Sequence, residues 1–138
     1  MKWTDTELAY LAGIIDGEGC FYIGKPGGQY TLRMFVMSTS KCLIDYLYKT
    51  YRGFQYSRKK ENSRWKVRHE WFVDTHILED LLPLLRPYLI IKKEHLEVAI
   101  EFRKTFSKVR NYRPISPDLI AVRDACHLRM KVLNKKGS

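Results

Sequence analysis

Apolar residues recur along this chain in two periods, and the changes between them mark its elements. Leu8, Leu11, Ala12 and Ile15 follow helical spacing, which predicts a first helix. Its start is explicit: Thr4 and Glu7 form a T-x-x-E capping box, with Trp3 and Leu8 at the staple positions. A narrower face of the same helix carries Ala9, Ala12, Gly13 and Asp16, small enough for a second helix to pack closely. Gly17 and Gly19 are read as its end. The period then falls to two. Phe21 and Ile23 alternate with Tyr22 and Gly24, and Leu32, Met34 and Val36 alternate with Thr31, Arg33 and Phe35, around a Pro26-Gly27-Gly28 turn.

A helix over about Ser40 to Tyr51 follows, with Gly53 as its stop. A second hairpin is read from Phe54 to Lys60 and from Arg64 to Val73. In the return strand Trp65, Val67, His69, Trp71 and Val73 alternate with Arg64, Lys66, Arg68 and Glu70. The rest is helical. One segment is capped at Asp74 or Thr75 and kinked or ended by Pro83, and one spans about Lys92 to Lys108. The last opens at Ser116-Pro117, an N-cap followed by proline. The order α-β-β-α-β-β-α-α-α describes an α+β domain: one antiparallel sheet with helices on one face and its other face free to bind.

At 138 residues the chain is sized for a single domain, 1–138, with about 134–138 as a loose basic tail. Its 25 Lys and Arg against 15 Asp and Glu give +10, a field that favours polyanions, nucleic acid foremost and an anionic membrane surface second. Apolar runs are too short for a membrane span, and the N-terminus has no secretory pattern. Cys20, Cys42 and Cys126 are odd in number and widely spaced, which suits reduced thiols in a reducing compartment. The four histidines have no metal-ligand spacing. No P-loop or Ser/His/Asp arrangement is present.

Asp16 and Glu18 stand at the C-terminal end of the first helix, where the macrodipole is already negative. Two acids beside open carbonyls suit a hard divalent cation such as Mg2+; a solvated D-G-E-G turn is the plainer alternative. The run Leu11-Ala12-Gly13-Ile14-Ile15-Asp16-Gly17-Glu18-Gly19 closely resembles the signature of the LAGLIDADG homing endonucleases. The resemblance implies a fold of order α-β-β-α-β-β-α, here with additional C-terminal helices. It further implies a saddle-shaped antiparallel sheet gripping double-stranded DNA, and metal-dependent phosphodiester hydrolysis in both strands of a near-palindromic target.

Carried over by position, Glu18 is the metal-binding catalytic acid and the Gly17 carbonyl a second ligand. The ion is Mg2+, with Mn2+ and Ca2+ as ions the same site accommodates. Asp16 supports the helix end. Lys92, with Lys93 as the alternative, matches a lysine after a Pro-aromatic-Leu segment. Ser38 and Lys41 stand where some relatives carry Gln and Arg. A single motif per chain implies a homodimer docked through Ala9, Ala12 and Gly13. The groove face would carry Tyr22, Thr31, Arg33, Arg64, Lys66, Arg68 and Glu70. Lys25, Lys59, Lys60 and the Arg110–Arg113 loop would touch phosphate. The rival reading of Arg64, Lys66 and Arg68 is a solvated strand face. On the same scaffold, an intron-RNA maturase or a non-cleaving DNA-binding regulator is the alternative function.

Overall fold

The computed structural model describes residues 2–58, 67–73, 75–106 and 116–135. In chain order these form α1 (Asp5–Glu18), β1 (Gly19–Gly24), a 3-10 turn (Pro26–Gly28), β2 (Thr31–Ser38), α2 (Lys41–Tyr51), β3 (Phe54–Arg58), β4 (Arg68–Phe72), α3 (Thr75–Leu85), α4 (Lys93–Arg103) and α5 (Pro117–Lys135). The four strands make one antiparallel sheet in the order β1-β2-β4-β3. This is the α+β architecture expected from the periodicity.

α1 begins as its capping box dictates. The Thr4 hydroxyl accepts from the Glu7 amide at 3.1 Å, and the Glu7 carboxylate accepts from the Thr4 amide at 2.9 Å. Leu8, Leu11, Ala12 and Ile15 are buried. The helix runs through Gly17 and ends at Glu18, one turn position later than the first glycine suggests, with Gly19 as C-cap in an extended conformation. α2 is capped by the Ser40 hydroxyl, which accepts from the Leu43 amide. It stops at Arg52, whose φ is 66°, followed by Gly53 at φ 94°. A Cβ on Gly53 would lie 2.3 Å from the Phe72 carbonyl oxygen, so only glycine fits that crossing. The strained Arg52 is held from across the sheet, because Trp71 Nε1 donates to its carbonyl at 2.6 Å.

Register divides the sheet cleanly. Phe21 pairs with Met34 and Val36 with Trp71, and all four are fully buried under α1, α2 and α3. Tyr22 pairs with Arg33, Phe35 with Phe72 and Tyr56 with Glu70 on the opposite face. The alternation read from β1, β2 and β4 is therefore the observed one.

Three boundaries differ from the sequence reading. α3 continues through Pro83 to Leu85, so the proline does not end the helix where it stands, and the helix stops two residues later. α4 stops at Arg103 rather than near Lys108; Arg123 of α5 grips the carbonyl and hydroxyl of Thr105 just beyond it. Asn134 and Lys135 belong to α5 and not to a loose tail.

α5 also does something no local pattern announces. It lies along β1, the edge strand, and fills that strand's open acceptors. His127 Nδ1 donates to the Ile23 carbonyl at 2.8 Å and Asn134 Nδ2 to the Phe21 carbonyl at 2.9 Å. Tyr30, at the turn end of the hairpin, donates to Asp124 of the same helix.

Candidate nucleic-acid interface and catalytic corner

Two features adjoin where α1 runs into β1. One is the corner formed by the helix end, the other the open face of the sheet.

At the corner, the two acids have different fates. Asp16 is fully engaged: its carboxylate accepts from the amides of Ile90 (2.8 Å), Ile91 (3.1 Å) and Lys92 (3.0 Å). Lys92, only 5% exposed, turns its ammonium back and donates to the Asp16 carbonyl at 3.3 Å. A cation thus sits at the negative end of α1, which is the favourable arrangement. Glu18 is exposed and has no hydrogen bond or ion pair among the described residues. Gly17 beside it is exposed too, with open space where a Cβ would point. The Lys92 charge is felt nearby. Burial pushes the Cys20 thiol up, and Lys92 pulls it partly back. Burial holds the His95 imidazole below its ordinary value, with Lys92 acting in the same direction.

No group of three His, Cys, Asp or Glu side chains capable of holding a metal occurs among the described residues. At this corner one chain offers a single free carboxylate among the described residues, Glu18, beside helix-end carbonyls. All are hard oxygen donors that fit Mg2+ or Ca2+ in kind, but they fall short of six ligands unless further oxygens come from elsewhere.

Ser38 and Lys41 are both occupied locally. Ser38 lies two residues beyond the Gly19–Val36 pair, so register brings it alongside the corner, yet its hydroxyl accepts from the Ser40 amide. Lys41 pairs with Asp45 on the surface of α2. Lys93 is exposed at the start of α4.

The open face holds Tyr22, Thr31, Arg33, Arg68 and Glu70, as the alternation required. Tyr22, Lys25, Thr31, Arg33, Phe35 and Glu70 line a concavity of about 610 Å3 there. Its chemistry is more aromatic than the sequence reading held. Arg33 stacks over Phe72 at 4.5 Å and Arg58 over Tyr56 at 5.4 Å. Glu70 lies on that face as expected but is only 7% exposed, and its carboxylate raises the Tyr56 phenol across the strand pair. Tyr56, Arg58 and Phe72 were not singled out in the sequence. Phe54 and Tyr56 alternate with Gln55 and Ser57, so period two already puts both aromatics on one face, and the same alternation puts Phe72 with Arg68 and Glu70, although every residue of β3 is exposed. Arg64, Lys66, Lys59, Lys60 and the Arg110–Arg113 loop lie outside the described residues.

The small-residue face of α1 is also corrected. Ala9 and Gly13 are exposed, but Ala12 is completely buried in the chain's own core, since it shares the stripe of Leu8, Leu11 and Ile15. Tyr10, 49% exposed and edge-on to Tyr46 at 5.4 Å, flanks the exposed face instead.

No family model matches the chain, and no curated protein matches it in sequence. Solved structures do match in fold. The homing endonuclease I-CvuI, in complex with a DNA target in the presence of Mg, superposes with a TM-score of 0.70 at 21% identity, covering 94% of this chain and 83% of that one. I-TnaI, a homing endonuclease, gives 0.58 at 17% identity with 99% of both chains covered. The LAGLIDADG homing endonuclease I-LtrWI, bound to target DNA, gives 0.64 at 16% identity, covering 94% of this chain and 45% of that one.

Proposed function

From the fold it shares with LAGLIDADG homing endonucleases, we propose that this chain is a divalent-metal-dependent, sequence-specific DNA endonuclease, acting as a homodimer on both strands of a near-palindromic duplex. The observation that carries this is the contrast between the two acids of the corner. Asp16 is consumed by the protein, whereas Glu18 is left unpaired at the negative end of a helix, beside a basic sheet face.

The work divides by element. The sheet face receives the duplex: Arg33 and Arg68 supply fork-shaped donors for guanine edges in the major groove, and Lys25 supplies charge for phosphate. Glu18 and the Gly17 carbonyl would hold the cation. A bound cation supplies a nucleophilic water at neutral pH and neutralises charge on the leaving oxygen. Lys92 has two ammonium donors left after its bond to Asp16, enough to orient that water or meet the scissile phosphate. A second copy docked through Ala9 and Gly13 would bring two Glu18 carboxylates to one place and one sheet to each half-site.

The test is incubation with a randomised duplex library in Mg2+ and in EDTA, followed by sequencing of the cut ends. A common cut site that needs Mg2+ and shows two-fold symmetry supports the proposal. Enrichment of bound duplex with no cutting in any divalent cation replaces it with the non-cleaving regulator, and binding of RNA alone with the maturase.

A further inference from the structure

The two ends that meet behind the corner exchange charges. α4 has no side-chain cap of its own, because its N-cap residue is Lys92. The missing acceptor comes from α1: the Asp16 carboxylate gathers the three amides leading into α4. In return the N-cap lysine sends its ammonium to the last turn of α1. Each helix end thereby receives the charge its dipole favours. The side chains of Ile90 and Ile91 are 79% and 55% exposed, so beyond the buried Leu89 no apolar side chain of these two residues holds the turn, and the Asp16 carboxylate is what ties its amides down.

We infer that Asp16 is a positioning residue, neither a metal ligand nor merely a helix-end support, which sets the ammonium of Lys92 at a fixed place against the last turn of α1, the turn that ends at Glu18. The inference rests on the proposed function and deepens it. Both Asp16 oxygens already accept N–H groups, and moving either toward a cation would release the turn that carries Lys92. A carboxylate is needed because every group facing it is a donor; the isosteric amide would turn an NH2 toward one of those N–H groups.

The first arm of the experiment is independent of cleavage. Lysine acetylation is read by mass spectrometry on the wild type and on Asp16→Asn, with exposed Lys41 and Lys93 as internal references. Lys92 should be protected in the wild type, and its labelling should rise about tenfold or more in Asp16→Asn with the references unchanged. Amide exchange on the wild type should show slowed exchange at Ile90, Ile91 and Lys92 despite their exposed side chains.

The second arm is a double-mutant cycle on single-turnover cleavage. Asp16→Asn should slow cutting about ten- to a hundredfold while leaving duplex affinity in EDTA within about twofold. In a Lys92→Met background it should cost nothing further, since it acts through that lysine. Multiplicative losses, unprotected amides at 90–92, or Lys92 labelling at the wild-type rate each overturn the inference. Global unfolding of Asp16→Asn overturns it as well, by making Asp16 a fold residue. A raised Mg2+ requirement with Lys92 still protected makes Asp16 a ligand and overturns it. If the wild type cuts no duplex, the endonuclease reading falls with the catalytic role, whereas the labelling arm still reports whether Asp16 positions Lys92.

Discussion

Glu18 and His95 are charges, or potential charges, that the fold does not favour, and each gives a measurable consequence. Glu18→Gln keeps the side chain's size and removes its charge. Cleavage in Mg2+ should be lost, while duplex affinity measured in EDTA should be nearly unchanged. The free protein should gain about 0.3–1 kcal/mol, because a negative charge has left the C-terminal end of a helix. A thermal melt and a gel-shift titration on one preparation read both effects, and wild-type cutting by the variant would remove Glu18 from the site. His95 is held below its ordinary value by burial first and by Lys92 second, with Glu94 opposing. The unfolded chain therefore takes up a proton at this residue before the folded one does. Stability is fully present above the unfolded value near 6.5 and is lost as pH falls through it toward the folded value. The melting temperature should drop between pH 7.5 and 5.5, and His95→Gln should flatten that slope. At the sheet, Arg33→Ala should weaken binding to the preferred duplex by about 1–3 kcal/mol and relax one target position if it reads a base. Equal weakening on all duplexes would assign it to phosphate instead.

Elements owe their ends to neighbours of two kinds, near and far. α1 starts where a T-x-x-E box says it must, and Thr4→Ala should cost about 1 kcal/mol in urea titration through the loss of that local bond. The β1 edge is held from far away. Asn134→Ala should cost about 0.5–1.5 kcal/mol although it lies near the C-terminal end of α5, because it strips a donor from the Phe21 carbonyl. An unchanged urea midpoint would mean that solvent replaces Asn134 without loss. This division explains what the sequence made legible. Helix starts, strand alternation and the placing of Glu18 at a helix end all follow from residues within a few positions of one another. The partners of Asp16 lie 74 to 76 positions away and those of α5 on β1 more than 100, so no period or spacing encodes them. The burial of Glu70 escaped because alternation assigns it to the open face and says nothing of the neighbours that cover it there. Ala12 shows a different failure, for it satisfies two overlapping stripes and only packing decides which one it serves.

In the whole molecule, a net charge of +10 and a basic open sheet predict that the proposed affinity for duplex should depend steeply on salt. Log affinity should fall linearly with log salt, with a slope that shrinks by about one for each phosphate-contacting Lys or Arg removed. Assembly has its own test at Gly13. Gly13 is exposed and a Cβ there would meet nothing within 4 Å, so Gly13→Leu should leave the fold of the lone chain intact while obstructing a second one. Sedimentation should show wild-type dimers at micromolar concentration and Gly13→Leu monomers with an unchanged melt; a wild type that stays monomeric on duplex DNA would exclude the dimer. The closing of β1 by α5 has a consequence in time. His127 is made 104 residues after Ile23. At roughly 5–20 residues per second, the ribosome leaves that strand edge bare for about 5–20 s. During synthesis the hairpin is an open invitation to other nascent chains, and the sheet is sealed only once α5 has been made.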